Sequence, residues 1–224
     1  MQRRSGDAAT GRQKAYEYLR DQILVDPTMQ GQFVNEQELA RDIGVSRTPV
    51  REALLLLVSD GLIELIPNRG ALIPVITGRQ VSELFELRGV LERHAAATTI
   101  KAGTVPLAQM EQALDEQRRV LSGAPGLGEE GRDRATEFIR LDQHFHQLLI
   151  DAGANELISQ TYNRLRARQV FVGVEALFRT QDRQSRVCDE HDVIVDALRR
   201  GDVAAAQTAI DHHLAVTLDL VLRA

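Results

Sequence analysis

The sequence predicts a mainly α-helical protein of two domains. Residues 1–76 form a winged helix-turn-helix with a small β wing, and residues 77–224 form an antiparallel all-helical bundle. Three observations carry this. Helically spaced apolar residues are broken at Gly44 and again at Gly61, which reads as two short helices joined by a tight turn. Two β-rich runs, Leu62 to Ile66 and Ala71 to Ile76, flank Pro67-Asn68-Arg69-Gly70, a composition suited to a hairpin turn. From Thr77 onward β character disappears and helical periodicity runs to the end of the chain.

In order, Met1 to Thr10 has no apolar period and is expected to be a disordered arm. Tyr16, Leu19, Ile23 and Leu24 then mark a first helix that ends at Asp26-Pro27. A polar turn over Thr28 to Gln32 leads to Asn35, an N-cap with Glu38 three residues on as a capping box, opening a helix with Leu39 and Ile43 that Gly44 closes. Ser46 is the next N-cap, before a helix whose inner face is Val50, Ala53, Leu54 and Leu57. Thr77 and Gln80 form another capping box at the domain boundary, with a short hinge over residues 75–79. Helices follow at about 78–102, 104–122, 132–151, 155–178, 183–200 and 202–223, with Gly123 to Gly131 a glycine-rich loop.

Length and composition narrow the class. A chain of 224 residues suits two domains, and 43% hydrophobic against 26% charged residues is the balance of a globular protein. No stretch nears the ~18 apolar residues that span a bilayer, and the first twelve residues lack a signal-peptide core, so a cytoplasmic protein with no membrane partner is expected. The single cysteine, Cys188, rules out an internal disulfide and a thiolate cluster, so any metal is held by His and carboxylates. The net charge of −5 is not that of a globally basic nucleic-acid binder. Residues 1–75 balance nine Lys or Arg against ten Asp or Glu, so DNA binding has to rest on where the positive groups sit.

They sit at the start of the second short helix. Arg47 and Arg51 are one turn apart, beside Ser46 and Thr48 and opposite the apolar face, which is the end a recognition helix presents to the major groove. The segment "LARDIGVSRTPVREAL", Leu39 to Leu54, continuing to the wing at Ile73, closely resembles the winged helix-turn-helix of the GntR family of regulators. The resemblance implies DNA contact by Arg47, Thr48 and Arg51, by Arg69 and Gly70 at the wing tip, and by Arg41 as a phosphate contact. It also implies a homodimer on operator DNA with two half-sites.

All six histidines lie after residue 90. Asp142 and His146 are one turn apart on one helix, His191 lies in step with Val187 and Val195, and His213 with Ala206, Ile210 and Thr217. Three helices can thereby bring an N3O set to one point, while a hydrogen-bonded core histidine and a surface Asp–His pair are the plainer alternatives for each part. "LFELRGVLERHAA", "RLDQHFHQLLIDAGANELI" and "EHDVIVDALRRGDVAAAQTAIDHHLAVT" resemble the FCD ligand-binding domain of FadR-type GntR regulators. That resemblance implies a divalent metal, zinc first with nickel, manganese or iron as alternatives, on Asp142, His146, His191 and His213 rather than on His144 or His212. It implies in addition that Arg88 holds a small organic acid effector against the metal, the plainer role for Arg88 being an ion pair with Glu92 at i+4. Asn163 and Arg166 are open candidates for the cavity wall. The expected function is ligand-responsive transcription regulation, repression first. A metal-dependent hydrolase-like enzyme and a purely structural metal are the rivals, the former lacking an evident general base or nucleophile motif.

Overall fold

A computed structural model describes residues 4–23, 27–67, 69–122, 129–165 and 183–223. The chain divides into two units, Met1–Thr77 and Gly78–Ala224.

The first unit runs α1 (Arg4–Ile23), a 3-10 turn (Pro27–Met29), β1 (Phe33–Val34), α2 (Glu36–Ile43), α3 (Arg47–Ser59), β2 (Glu64–Ile66) and β3 (Gly70–Leu72). α1 packs along α3, with Ala15 and Leu19 of α1 and Val50, Ala53, Leu54 and Leu57 of α3 buried. Tyr16 donates to Asp60 Oδ2 at 2.7 Å, tying α1 to the end of α3. Asn35 caps α2 by accepting from the backbone N–H of Gln37 and Glu38. Gly44 closes α2 at φ 73°, a left-handed position that favours glycine. Ser46 holds the N-cap position of α3 in extended backbone, but its hydroxyl makes no capping hydrogen bond.

Local patterning misread this unit at two places. Helix α1 reaches back to Arg4, into the stretch expected to be disordered, because each residue added to a formed helix gains a backbone hydrogen bond and no proline intervenes. The Thr28 to Gln32 turn does not lead straight to Asn35 but into β1, which pairs antiparallel with β3, Phe33 opposite Leu72. A strand of two residues carries no period of its own and exists through that non-local pairing. The sheet order is β1-β3-β2, with Glu64 also opposite Leu72 and Ile66 opposite Gly70. The wing strands are shorter than the β-rich runs, and Asn68 lies outside the described residues.

The second unit comprises α4 (Gly78–Ala102), α5 (Leu107–Leu121), α6 (Glu129–Ala152), a helical segment over residues 156–165 (α7), α8 (Arg183–Arg199) and α9 (Val203–Leu222). α4 packs on α6 and α9, α5 on α6 and α8, and α8 on α9. α5 begins at Leu107 rather than 104 because Pro106 takes the N-cap and disfavours helix in the residue before it. α6 begins at Glu129, inside the expected glycine loop. Residues 123–128 of that loop, and 166–178 of the helix expected there, lie outside the described residues. Leu114, Phe138, Val187 and Cys188 form an apolar cluster where α5, α6 and α8 meet. Burial, with nearby carboxylates and against the opposing field of Arg118, pushes the Cys188 thiol up to about 12, so it packs as a small hydrophobe.

Candidate functional site

One turn of α6 separates Asp142 from His146, and both face the inside of the second unit. α8 brings His191 and α9 brings His213 to the same place, so that one ligand atom from each of the four residues lies within 4.8 Å of the others. His146, His191 and His213 are buried, whereas His94, His144 and His212 are exposed. Phe145, also on α6, stacks on the His191 ring at 4.1 Å between centroids and holds its plane.

Each imidazole is oriented through its Nδ1. Gln117 Oε1 of α5 lies 3.0 Å from His191 Nδ1, Glu190 Oε2 lies 2.7 Å from His213 Nδ1, and Glu92 Oε2 of α4 lies 3.0 Å from His146 Nδ1. An acceptor at Nδ1 keeps the proton there and leaves Nε2 as a bare lone pair. The Nε2 atoms of His146 and His191 are buried with no hydrogen-bond partner, and His191 Nε2 is 3.4 Å from Asp142 Oδ1. Orphaned nitrogens of this kind are unfavourable unless a Lewis acid meets them, so the residues present fit a divalent cation bound by three imidazoles and a carboxylate.

Two buried guanidiniums frame the cluster. Arg88 donates from Nε to Glu92 Oε1 at 2.9 Å, and its Nη2 is buried without a partner. Arg183 donates to both oxygens of Glu190 and to Thr217 Oγ1, the last at 2.7 Å. Burial would raise the Glu92 carboxyl, but His146 and Arg88 outweigh it and hold the group well below the usual carboxylate range. Burial lowers Arg88 in the same way, and the fields of Tyr162, Glu92 and Asp142 more than restore it. For Glu190, burial is again outweighed, here by His213 and Arg183, and its value falls. Burial depresses His191 well below the normal imidazole value, helped by repulsion from His213 and His146. It also depresses His213, against the opposing hydrogen bond to Glu190. His191 and His213 are therefore favoured as neutral imidazoles, the form that binds metal.

The sequence reading did not find the outer layer. Glu92 was visible only as the i+4 partner of Arg88, an ion pair that does form. Glu190, next to His191, turns about 100° away from it around α8 and so meets α9 instead. Gln117 and Arg183 carried no signal. On α7, Asn163 is exposed, while its neighbour Tyr162 is fully buried and donates to Glu92 Oε1 at 2.7 Å. Arg166 lies outside the described residues.

In the first unit, Arg47, Thr48 and Arg51 are exposed on the first turns of α3. Both guanidiniums meet one carboxylate of α2, with Glu36 Oε2 2.7 Å from Arg51 Nε and 3.4 Å from Arg47 Nη2. Their shared partner brings the two side chains to one point on the surface. Arg69 lies over the Phe33 ring at 4.9 Å, which anchors it beside the wing. Gly70 takes φ 104°, a conformation that favours glycine. Arg41 projects from α2 with its Nε 3.5 Å from Asp42.

A three-helix unit with a β wing and paired arginines at the head of its last helix, followed by a helical bundle with a polar heart, defines a winged helix-turn-helix DNA-binding regulator with a separate helical domain. Residues 12–73 match the bacterial regulatory proteins of the gntR family, and residues 83–216 match the FCD domain. The chain belongs to the GntR family, in its FCD-bearing form. It is similar to the HTH-type transcriptional regulator YdhC of Bacillus subtilis, 30% identical over 88% of this chain and 85% of that protein. It is equally similar to the HTH-type transcriptional repressor RspR of Escherichia coli, 30% identical over 90% and 85%. The gluconate operon transcriptional repressor of B. subtilis is 28% identical over 88% and 79%. Among solved structures, E. coli McbR/YncC shares the fold with a TM-score of 0.76 at 19% identity, covering 95% of this chain and 97% of that one. A GntR regulator from Rhodococcus sp. RHA1 does so with a TM-score of 0.75 at 24% identity, covering 95% and 98%. The protein is a DNA-binding transcription regulator, not an enzyme, and no described helix is long and apolar enough to cross a membrane.

The buried imidazoles give the metal-free protein a signed pH dependence. The folded-state value of His191 lies below its ordinary 6.5, so as pH falls through that value the unfolded chain takes up a proton that the folded one refuses, and stability drops. Glu92 and Glu190, both depressed, add a loss of the same sign as pH falls below their ordinary 4.5. Thermal unfolding of chelator-treated protein is expected to show Tm declining as the buffer is taken from about pH 7.5 to about 5.5. A flat Tm across that range would contradict neutral burial of His191.

Proposed function

We propose that the protein is a homodimeric, ligand-gated repressor whose C-terminal unit holds a divalent metal, zinc first, on Asp142, His146, His191 and His213, and senses a small carboxylate at that metal and Arg88. The observation that carries the reading is the coincidence of unpartnered donors and acceptors in one cluster: Nε2 of His146 and His191 and Nη2 of Arg88 are all buried without a partner. A metal satisfies the first two and an anion the third. Formal charge supports the same pairing. Three carboxylates, Asp142, Glu92 and Glu190, stand against two guanidiniums, Arg88 and Arg183, and imidazoles that bind a metal do so as neutral ligands. A divalent cation converts the net negative charge into a single positive one, which one carboxylate neutralises. Repression follows two relatives, the RspR and gluconate operon repressors.

DNA contact is assigned to Arg47, Thr48 and Arg51 on α3, to Arg69 and Gly70 on the wing, and to Arg41. A single recognition helix reads only a few base pairs, so two copies on a two-fold-related operator supply the specificity. The effector acts by favouring one arrangement of the DNA-binding units over another through the segment Val75 to Arg79, and can shift DNA affinity only by its differential binding to the two.

Three measurements test this reading. Elemental analysis should find metal content lowered in His146→Ala, His191→Ala and His213→Ala and retained in His144→Ala and His212→Ala; full occupancy in the first three would remove the proposed centre. Arg47→Ala and Arg51→Ala should each weaken operator binding by about 1–3 kcal/mol while circular dichroism stays unchanged, and wild-type affinity in both would displace the recognition surface. In titrations of small organic acids against the DNA-bound protein, Arg88→Ala should retain metal and operator binding yet respond weakly, and an undiminished response would take Arg88 out of the effector site.

A further inference from the structure

We propose that Glu92 is a shared positioning residue: one carboxylate that fixes the tautomer of metal-facing His146 and also holds the Arg88 guanidinium, so that metal occupancy is felt at the effector arginine. The proposal rests on the metal and carboxylate reading above. Glu92 is fully buried, one turn after Arg88 on α4. Its Oε1 accepts from Arg88 Nε at 2.9 Å and from the Tyr162 hydroxyl at 2.7 Å, and its Oε2 lies 3.0 Å from His146 Nδ1. Side chains from α4, α6 and α7 therefore converge on one carboxylate.

The other two outer partners do not do this. Gln117, on His191, is neutral. Glu190, on His213, carries charge, but its further partner is Arg183, which is fixed in turn by Thr217. Among the described residues, Glu92 is the outer carboxylate recorded in contact with both a metal-facing imidazole and Arg88. With a cation held at Nε2, the His146 Nδ1–H would be a stronger donor toward Glu92 Oε2. What Oε1 then offers Arg88 changes, because both oxygens share one charge. The coupling is reciprocal, so an anion that engages Arg88 alters the grip on His146.

The test uses the full chain, stripped of metal, with Zn2+ as the probe, followed by chelator competition and by 15N NMR of the Arg88 Nε–H and the His146 ring. In the wild type, Zn2+ is expected to move the Arg88 Nε–H resonance while His146 stays protonated at Nδ1. Glu92→Gln should raise the zinc dissociation constant about 10–100-fold at unchanged stoichiometry, and the Arg88 response should collapse. Tyr162→Phe removes one hydrogen bond from Glu92 without touching an imidazole. It should weaken zinc binding and the Arg88 response in the same direction but less, and it stands in should Glu92→Gln not fold. Zinc affinity in Glu92→Gln within about twofold of wild type, far inside the loss expected of an outer partner, would overturn the proposal, as would a wild-type Arg88 resonance unmoved at saturating Zn2+, or a Tyr162→Phe protein unchanged in both readouts. Unchanged zinc affinity in His146→Ala would instead overturn the metal reading, and this proposal with it, which keeps the two failures apart.

Discussion

Placing two guanidiniums, three carboxylates and three imidazoles inside a bundle of short helices is the constraint on which the second unit depends. Each ion taken out of water loses several kcal/mol of solvation that only close, well-directed partners return. The bundle answers with two closed pairs, Arg88 with Glu92 and Arg183 with Glu190. It then sets the second oxygen of each carboxylate beside the Nδ1 of a histidine. Elements far apart in sequence are fixed in this way: α4 to α6 and α7 through Glu92, and α8 to α9 through Glu190. Among the described residues, the buried atoms left without a partner include Nε2 of His146 and His191 and Nη2 of Arg88, the atoms on which the proposed centre rests.

The same constraint explains how much could be read beforehand. The four inward residues Asp142, His146, His191 and His213 each share a helix face with apolar neighbours, so a period of 3.6 residues is enough to pick them out and to turn His144 and His212 to the surface. Their convergence on one point is not periodic information: the helix faces allowed it, and the resemblance assigned it. The outer residues follow no such rule. Glu190 is adjacent to His191 and therefore on a different face, and it matters because α9 runs past that face. Gln117 and Tyr162 belong to helices that carry none of the four inward residues. In the first unit the capped ends of α2 and the inner face of α3 were legible because they are local, whereas β1, two residues long, exists only through its pairing with β3.

Charge placement closes the account of the first unit. A chain of net charge −5 gains little from long-range attraction to DNA, so on the proposed reading the cations of α3 and the wing have to be gathered locally. Glu36 does the gathering for Arg47 and Arg51, and Phe33 does it for Arg69. Exposed ion pairs contribute only about 0–1 kcal/mol, and the Glu36 carboxylate is therefore a partner that a guanine edge or a phosphate can replace at small loss. A bidentate arginine–guanine contact is worth about 1–3 kcal/mol, more than the pair it displaces. Releasing Glu36 costs the same on any DNA, so it lowers affinity without changing the ratio between a matched and a random site, and on the proposed reading discrimination rests on the arginine contacts themselves.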